Sequence, residues 1–282
     1  MNKQERIMVF EETMQLCMEN SRLKQSIERS IQDQKLYWEN QDMGEPAIPE
    51  RPAPKLLLSE KRTLEAAEPY AKQGKKVCCL NFASYVTPGG GVRRGAAAQE
   101  ESLCRISTLY PALMDKDTAG AFYKDHRLKA TMKKLRGDED PVRWNSDDCI
   151  FTPNVTVVRE DTYDCRLMPE EDWYETDIIT CCAPDFRHFY GEINEQKLIH
   201  VLLKRICRIL QVAAAHGDEV LVLGAFGCGV FHNPPSVMAS AFQFALEEFG
   251  PCFETVEFAL GHNSAGNENY RAFTRIRHIE LM

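Results

Sequence analysis

Three consecutive glycines at residues 89–91 separate a short apolar run from a helical pattern that begins with Gln99, Glu100 and Glu101. Ordering a glycine costs more backbone entropy than ordering any other residue, so three in a row indicate positive φ angles or a ligand close to the main chain. The apolar run at 77–81 predicts a buried strand, and residues 99–110 predict a helix. This order is typical of open α/β folds, which bind ligands at the carboxyl ends of their strands.

A second junction of the same kind lies downstream. The apolar run 220–223 predicts a strand, Gly224, Gly227 and Gly229 follow it, and residues 236–249 predict a helix. Closely spaced glycines let successive N–H groups converge on an anion. The loop lacks the Lys-Ser/Thr ending of a nucleoside-triphosphate loop, and alone it could be a dinucleotide loop, a phosphate loop or a structural turn. Two such junctions, one with paired carboxylates, indicate a ligand site.

Strand and helix patterns alternate from residue 55 onward, which predicts a mixed, mostly parallel sheet with helices on both faces. The further expected strands are 56–58, 150–158, 178–182 and 256–259, and the further expected helices are 63–73, 198–215 and 269–277. Residues 116–148 are charged and poorly periodic, so we expect an irregular insertion. Residues 1–54 are expected to form an N-terminal helical extension with a proline-rich connector at 43–54, and residues 55–282 the main domain.

Composition narrows the class of protein. The 282 residues are 44% hydrophobic and 27% charged, with a net charge of −8, as in soluble globular proteins. An acidic chain is not expected to grip nucleic acid through its general surface, so we expect no sequence-specific nucleic-acid partner. The sequence has neither a membrane-length apolar stretch nor a secretion signal, which predicts a cytoplasmic protein without a membrane partner. The eleven cysteines contain no Cys-x-x-Cys pair, so neither structural zinc nor a disulfide scaffold is expected.

The runs at 81–84, 88–91 and 99–101 resemble the signature of the microbial-type poly(ADP-ribose) glycohydrolases, which have a macrodomain fold. Residues 103–110, 151–155, 182–185 and 224–235 are similar to that family as well. The stretch 261–267 departs from it, because the family leads us to expect an acidic residue after the last strand. The resemblance implies a macrodomain-like fold and a glycosidase that releases ADP-ribose from poly(ADP-ribose) or from ADP-ribosylated proteins.

The resemblance also implies roles for individual residues. Glu101 would be the catalytic acid and base, Glu100 would hold ribose hydroxyls, and Asn81 would hydrogen-bond the distal ribose. Adjacent side chains at a helix start diverge by about 100°, so one glutamate is expected to face the glycine loop. A group that gives and then takes a proton works best with a raised pKa. The other expected substrate contacts are Ser84, Gly89, Gly90, Gly91, Val92, Gln99, Gly224, Ala225, Gly227, Cys228, Gly229, Val230, Phe231 and Asn233.

Two alternatives stay open at this stage. Many macrodomains bind ADP-ribose without hydrolysing it, and the chain could be such a reader. It could also hydrolyse terminal mono(ADP-ribose) or ADP-ribose ester linkages. The Gln99-Glu100-Glu101 triplet favours an enzyme, because a reader has no need of a buried acid there. The implied mechanism needs no metal and no cofactor. Cys228 is expected to fill space beneath the second loop rather than to act as a nucleophile.

Overall fold

The computed structural model describes residues 1–44, 49, 52–138, 140–142 and 147–282. Its helices are α1 (Lys3–Glu19), α2 (Ser21–Asp33), α3 (Thr63–Lys72), α4 (Gln99–Ile106), α5 (Leu109–Leu113), α6 (Thr118–Leu135), α7 (Glu195–Ala215), α8 (Pro235–Phe249) and α9 (Glu268–Phe273). Its strands are β1 (Lys35–Tyr37), β2 (Lys55–Ser59), β3 (Val77–Phe82), β4 (Cys149–Val157), β5 (Tyr174–Cys181), β6 (Val220–Leu223), β7 (Thr255–Ala259) and β8 (Ile279–Leu281). Short 3-10 turns occupy Val92–Arg94, Glu170–Asp172 and Gly250–Cys252.

The strands form a single mixed sheet in the order β1-β4-β5-β3-β6-β7-β2-β8. Pairing is parallel from β5 to β8 and antiparallel at β4, which pairs with β1 and β5. Side chains of a strand alternate between the two faces. Cys78 and Leu80 accordingly enter one buried core and Val77 and Cys79 the other. Both faces are covered, as predicted, and this explains the continuous apolar runs in the sequence.

The order of the strands positions the two glycine loops. β3 and β6 are parallel neighbours, with Val77 opposite Val220 and Cys79 opposite Val222. Their carboxyl ends therefore lie at the same edge of the sheet, and the loop after each strand begins there. A ligand can contact both loops at once, which is the usual position of a binding site in an open α/β sheet.

The helix expected at 99–110 is broken, so that prediction is wrong at residues 107–108. Thr108 donates its N–H to Thr156 of β4 at 2.9 Å, and its Oγ1 accepts the Thr156 N–H at 2.9 Å. Ser107 forms an isolated bridge with Val157. Two β-type contacts with the sheet replace one turn of helix. The result is a short α4 whose first turn carries the two glutamates.

The irregular insertion expected at 116–148 is also wrong in its first half, which forms α6. Ala119, Phe122, Tyr123 and His126 are buried, at the i, i+3, i+4 and i+7 spacing of an amphipathic helix. Charged residues on the other face conceal this period in the sequence. Residues 139 and 143–146 of the expected insertion lie outside the described residues.

The N-terminal segment is helical, as expected, but it also supplies β1, which the sequence did not predict. β1 is the edge strand beside β4. Arg6 of α1 donates from Nε to the Gly95 carbonyl at 2.7 Å, and Ser26 of α2 hydrogen-bonds Thr156 at 2.6 Å. The segment thus packs on the sheet and on the first glycine loop. The division at residue 54 stays a prediction, and residues 45–48, 50 and 51 of the connector are outside the described range.

No helix within the described ranges combines the length and the apolar character that crossing a bilayer requires. All eleven cysteines are free thiols, and Cys78, Cys79, Cys181 and Cys182 are buried in strands or at their ends. They pack as small apolar side chains, as the sequence predicts.

Candidate active site

The second glycine loop packs against the end of β3, the strand that leads into the first glycine loop. Gly224 comes directly after β6 in a crowded place. A Cβ added there would lie 2.8 Å from the Ala259 carbonyl oxygen and 3.0 Å from Phe82 at the end of β3. The Phe82 ring packs against Phe226 of the second loop, with centroids 5.7 Å apart. Gly224 therefore allows the second loop to lie close to the ends of β3 and β7. Within that loop, the Ala225 carbonyl accepts the Cys228 N–H at 3.0 Å.

The first glycine loop surrounds both glutamates. Ser84 donates its N–H to Glu100 Oε2 at 2.7 Å, and Gly91 donates its N–H to Glu101 Oε1 at 2.7 Å. Both side chains are buried. We expected one glutamate to face the loop, but the loop passes both of them, so both carboxylates point into it. Gly90 lies between them with φ +58°, and any Cβ there would overlap both carboxylates.

The amide groups of this loop do not form the anion cradle that the glycines suggested. Gly90 donates to the Thr87 carbonyl at 3.0 Å, Val92 donates to the Gly89 carbonyl at 3.1 Å, and Gly91 donates to Glu101. The Val92 side chain is fully buried, so its predicted substrate contact is wrong for the side chain. The loop orients the two carboxylates rather than offering free N–H groups to a ligand.

Gln99 also differs from its expected role. Its Oε1 accepts the Phe82 N–H at 2.9 Å, and its Nε2 donates to the Leu80 carbonyl at 2.8 Å and to Thr63 at 3.1 Å. The amide is thus engaged by protein groups at both ends and joins the end of β3 to the start of α4. These bonds let Gln99 position the glutamates, and its contact with substrate stays a prediction.

Two buried oxygen atoms beside the glutamates have no partner among the described residues. Asn81 donates from Nδ2 to Thr180 at 3.2 Å, but its Oδ1 accepts no hydrogen bond, and neither does Glu100 Oε1. A buried acceptor without a partner costs about 1–3 kcal/mol, so such atoms are rare unless a ligand or water satisfies them. The pair is suited to accept hydrogen bonds from the hydroxyl groups of a sugar.

Glu100 has the raised pKa that the sequence led us to expect of the catalytic acid. Burial raises the pKa of Glu100 to about 8, and the neighbouring charge of Glu101 adds to the increase. Hydrogen bonds from the Ser84 and Gly89 amides and from Asn81 act in the opposite direction. Glu100 is therefore largely protonated at neutral pH and can donate as well as accept a hydrogen bond.

This pKa predicts how Glu100→Gln changes stability with pH. The folded pKa, about 8, lies above the ordinary value of 4.5, so the folded state binds the extra proton and stability falls as pH rises between these values. Because Gln cannot ionise, the Glu100→Gln variant does not lose this part of its stability as the pH rises. We expect the free energy of unfolding of Glu100→Gln, relative to the parent, to increase by at least about 1.4 kcal/mol from pH 5 to pH 8.5.

Urea unfolding at the two pH values measures this difference. Glu171→Gln is the matched control, since Glu171 is exposed in the 3-10 turn Glu170–Asp172, and its stability relative to the parent should not change with pH. An equal offset for Glu100→Gln at both pH values would contradict the raised pKa.

The second loop presents the amide groups that the first does not. The backbone N–H groups of Gly227, Gly229, Val230 and Phe231 have no acceptor within the described part of the chain. Gly229 and Val230 are exposed, and Phe231 is half-buried. Several unpaired N–H groups in one short turn form a nest for an anion. Of the two loops, this one offers the unpaired N–H groups that a phosphate cradle needs, and the cradle itself stays a prediction.

Asn233 holds the nest in shape. Its Nδ2 donates to the carbonyls of Pro184 at 2.8 Å and Gly227 at 3.0 Å, and its N–H donates to Gly227 at 3.1 Å. Gly227 has φ +71°, and a Cβ there would lie 2.6 Å from Asn233 Nδ2. Asn233 therefore positions the loop, while its buried Oδ1 accepts no hydrogen bond from the described residues, so its contact with substrate stays a prediction.

Two further side chains complete the second loop. Burial raises the pKa of Cys228 to about 12, so the thiolate is scarce at neutral pH, which agrees with a space-filling role. The Arg187 guanidinium lies over the Phe231 ring at 5.0 Å and pairs with Asp185. Sequence reasoning missed Arg187, although it closely follows the run 182–185 that carries part of the resemblance.

A buried group next to the first loop contains potential metal ligands that sequence reasoning also missed. One ligand atom each from Asp125, His126 and Asp148 lies within 4.8 Å of the others. His126 Nε2 hydrogen-bonds Asp148 at 2.8 Å, its Nδ1 hydrogen-bonds the Tyr85 carbonyl at 2.9 Å, and Lys129 pairs with Asp125 at 2.9 Å. The His126 ring also stacks on Tyr85. These bonds brace the chain before the glycines, and the expectation of no metal site stays a prediction.

Comparisons with known proteins agree with the geometry. Residues 4–160 match the family model of the microbial-type PARG catalytic domain. The solved poly(ADP-ribose) glycohydrolase of Thermomonospora curvata bound to the inhibitor ADP-HPD is 30% identical, with a TM-score of 0.79 over 96% of this chain and 99% of that one. The Deinococcus radiodurans enzyme in complex with ADP-ribose is 32% identical, with a TM-score of 0.73 over 88% and 96%. No curated protein matches. The predicted macrodomain-like arrangement is confirmed.

Proposed function

This chain belongs to the microbial-type poly(ADP-ribose) glycohydrolase family, and we propose that Glu101 is the group with which it hydrolyses the ribose–ribose O-glycosidic bond of poly(ADP-ribose). The observation that carries this assignment is the convergence of two buried carboxylates on the first glycine loop. Gly91 fixes Glu101 Oε1, while Glu101 Oε2 accepts no hydrogen bond from the described residues. One oxygen is thus held and the other is available for proton transfer.

The substrate is bound by the groups that the protein leaves unpaired. The amide nest at Gly227–Phe231 takes the pyrophosphate of the terminal ADP-ribose unit. Asn81 Oδ1 and Glu100 Oε1 accept hydrogen bonds from the hydroxyl groups of its distal ribose. Because both loops begin at the same edge of the sheet, a ligand held in this way places the anomeric carbon of its distal ribose next to Glu101.

The reaction then needs a single acid and base. Glu101 protonates the oxygen of the leaving ribose as the bond from that oxygen to the anomeric carbon breaks, which leaves an oxocarbenium-like sugar. The resulting carboxylate takes a proton from water as the water oxygen bonds to the anomeric carbon, and ADP-ribose is released. The substrate's own pyrophosphate helps to stabilise the positive charge of the sugar.

A reader of ADP-ribose is the competing function. Binding alone gains nothing from two buried carboxylates side by side, and burying such a pair is unfavourable, as the raised pKa of Glu100 indicates. This supports an enzyme. Hydrolysis of mono(ADP-ribose) or ester linkages would use the same groups. The cytoplasmic location and the absence of a sequence-specific nucleic-acid partner stay predictions.

The test presents the protein with poly(ADP-ribose) and, separately, with peptides that carry one ADP-ribose on Glu, Asp or Ser. We expect the polymer to be shortened with release of ADP-ribose. Retention of full-length polymer by a protein that binds it would support the reader. Release of ADP-ribose from the peptides alone would show that the protein hydrolyses terminal mono(ADP-ribose) linkages instead of the polymer.

The amide nest can be tested with two glycines that face different surroundings. A Cβ on Gly229 would meet no protein atom within 4 Å, so Gly229→Val leaves the fold intact and fills only the space of the ligand. We expect it to weaken ADP-ribose binding by about tenfold or more, with an unfolding midpoint within about 2 °C of the parent. Calorimetric titration and thermal unfolding measure the two effects.

Gly227→Ala is the comparison, because its φ of +71° and the nearby Asn233 amide make a side chain costly. It should lose about 1–3 kcal/mol of stability. Unchanged ADP-ribose affinity in a well-folded Gly229→Val protein would show that the nest does not hold the ligand.

A further inference from the structure

A cavity of about 530 Å³ lies beside the first glycine loop, and its lining residues come from the segments 87–94, 110–116 and 120–127. None of them belongs to the second loop, so the cavity is distinct from the amide nest. Tyr110, Leu113, Met114 and Tyr123 supply apolar and aromatic surface. Its volume is in the range of small-molecule sites, about 300–1,000 Å³.

The cavity is surrounded by positive charge. Its lining includes Arg93, Arg94, Lys116, Lys124 and Arg127 and a single acidic residue, Asp115. All five cationic residues are exposed, and the first four form no ion pair among the described residues. The whole chain has a net charge of −8, so five cations around one cavity are a local exception. Such a concentration of unpaired positive charge favours an anionic ligand.

This basic cavity adjoins the catalytic groups. A Cβ on Gly91 would lie 3.5 Å from Glu101 Oε1 and 3.7 Å from Arg94 Nη2, so both side chains flank the same glycine. Gly90, where an added Cβ would overlap both carboxylates, also lines the cavity. A ligand part in the cavity therefore lies within a few atoms of the bond that Glu101 acts on.

A buried hydroxyl group adds a second polar feature. Tyr123 lines the cavity, is 1% exposed, and its hydroxyl has no hydrogen-bond partner in the described part of the chain. Burial raises its pKa well above the usual value, with the charge of Glu100 as a further cause. The hydroxyl thus remains protonated and is an unused donor between the cavity and the glutamates.

We propose that the basic cavity binds the ADP-ribose unit on the leaving side of the scissile bond, with the cations on its pyrophosphate and the aromatic floor against its nucleoside. This inference rests on the proposed function. A polymer has one such unit on each side of the bond, and the amide nest accommodates only the pyrophosphate of the released unit. The leaving unit carries its own pyrophosphate and adenine, which match the charged rim and the apolar floor.

The experiment uses two substrates that differ only on the leaving side. In the ADP-ribose dimer the leaving group is ADP-ribose, whereas in 2′-O-(ADP-ribosyl)adenosine it is adenosine, which has no pyrophosphate. The variant combines Arg94→Ala, Lys116→Ala and Lys124→Ala. We expect kcat/KM to fall by about tenfold or more on the dimer and by less than about twofold on the adenosine substrate. The control combines Lys24→Ala, Lys134→Ala and Lys197→Ala, three exposed lysines away from the cavity, and should change neither.

The outcomes distinguish failure of the proposed function from failure of the inference about the basic cavity. If the parent hydrolyses neither substrate, the proposed function fails. Suppose the parent hydrolyses both substrates. If kcat/KM of the cavity variant then falls equally on both, or on neither, the inference about the cavity is overturned while the function stands.

A second measurement needs no variant. Because the cavity contributes exposed charges, raising the salt concentration should lower kcat/KM of the parent more on the dimer than on the adenosine substrate. Equal salt dependence for the two substrates contradicts a charge-based subsite, even if the triple variant does not fold.

Discussion

Replacing Glu101 by Gln is expected to lower the turnover number by about a thousandfold or more, within the range that general acid–base catalysis contributes. Gln has the size of Glu, and its Oε1 can still accept the Gly91 N–H that holds the parent side chain at 2.7 Å. It cannot give up and recover a proton. ADP-ribose affinity should stay within about tenfold, because binding depends on the amide nest and on Asn81. Initial rates on poly(ADP-ribose) and calorimetric titration with ADP-ribose measure the two quantities.

Glu100→Gln is the matched comparison, since the two residues are adjacent, both buried and both bound to the same loop. Its main effect should be on substrate affinity, through the loss of an acceptor for ribose hydroxyls. Burial raises the pKa of Glu100, as we expected of the catalytic acid, and this makes the comparison decisive. Full activity of Glu101→Gln together with an inactive Glu100→Gln would show that Glu100, and not Glu101, is the catalytic acid and base.

Gly90→Ala is the second large effect we expect. The Gly90 φ of +58° is unfavourable for alanine, and the added Cβ would overlap both carboxylates, with Glu100 Oε2 at 2.9 Å. The loop or the glutamates must move, so we expect the variant to lose about 3 kcal/mol of stability. Turnover should fall by about a hundredfold, because a small displacement of a catalytic group has such an effect.

Gly137→Ala separates backbone strain from displacement of the glutamates. Gly137 follows α6 with φ +61°, and a Cβ there would meet nothing within 4 Å. Its variant should lose only about 1 kcal/mol and retain full activity. Urea unfolding and initial rates provide the comparison. If Gly90→Ala resembles Gly137→Ala in both, the loop does not fix the positions of the glutamates.

The sequence predicted the sheet because its strands are buried on both faces. The runs at 77–80 and 220–223 are continuously apolar, as expected of parallel strands between two helical layers. It did not predict β1, whose three residues are too few for a pattern, or α6, whose charged face conceals the buried spacing. The break at Ser107 was also invisible, since it depends on hydrogen bonds to β4.

The positions of the candidate catalytic residues followed from the sequence, but the tasks of their neighbours did not. Glu100, Glu101 and the glycines stood out through their spacing. Gln99 and Asn233 looked only like ligand contacts, but each also donates hydrogen bonds to main-chain groups that only the fold brings close. The basic cavity could not be seen either, because its cations come from segments separated by up to thirty-four positions along the chain, from Arg93 to Arg127.

The most direct test of the central claim identifies the products formed from poly(ADP-ribose) by the parent protein and by Glu101→Gln. Mass analysis distinguishes cleavage of the ribose–ribose bond from cleavage of the pyrophosphate. Our account predicts ADP-ribose as the released product of the parent and no release above background by the variant. Phosphoribosyl-AMP as the product, or ADP-ribose formed equally by both proteins, would contradict it.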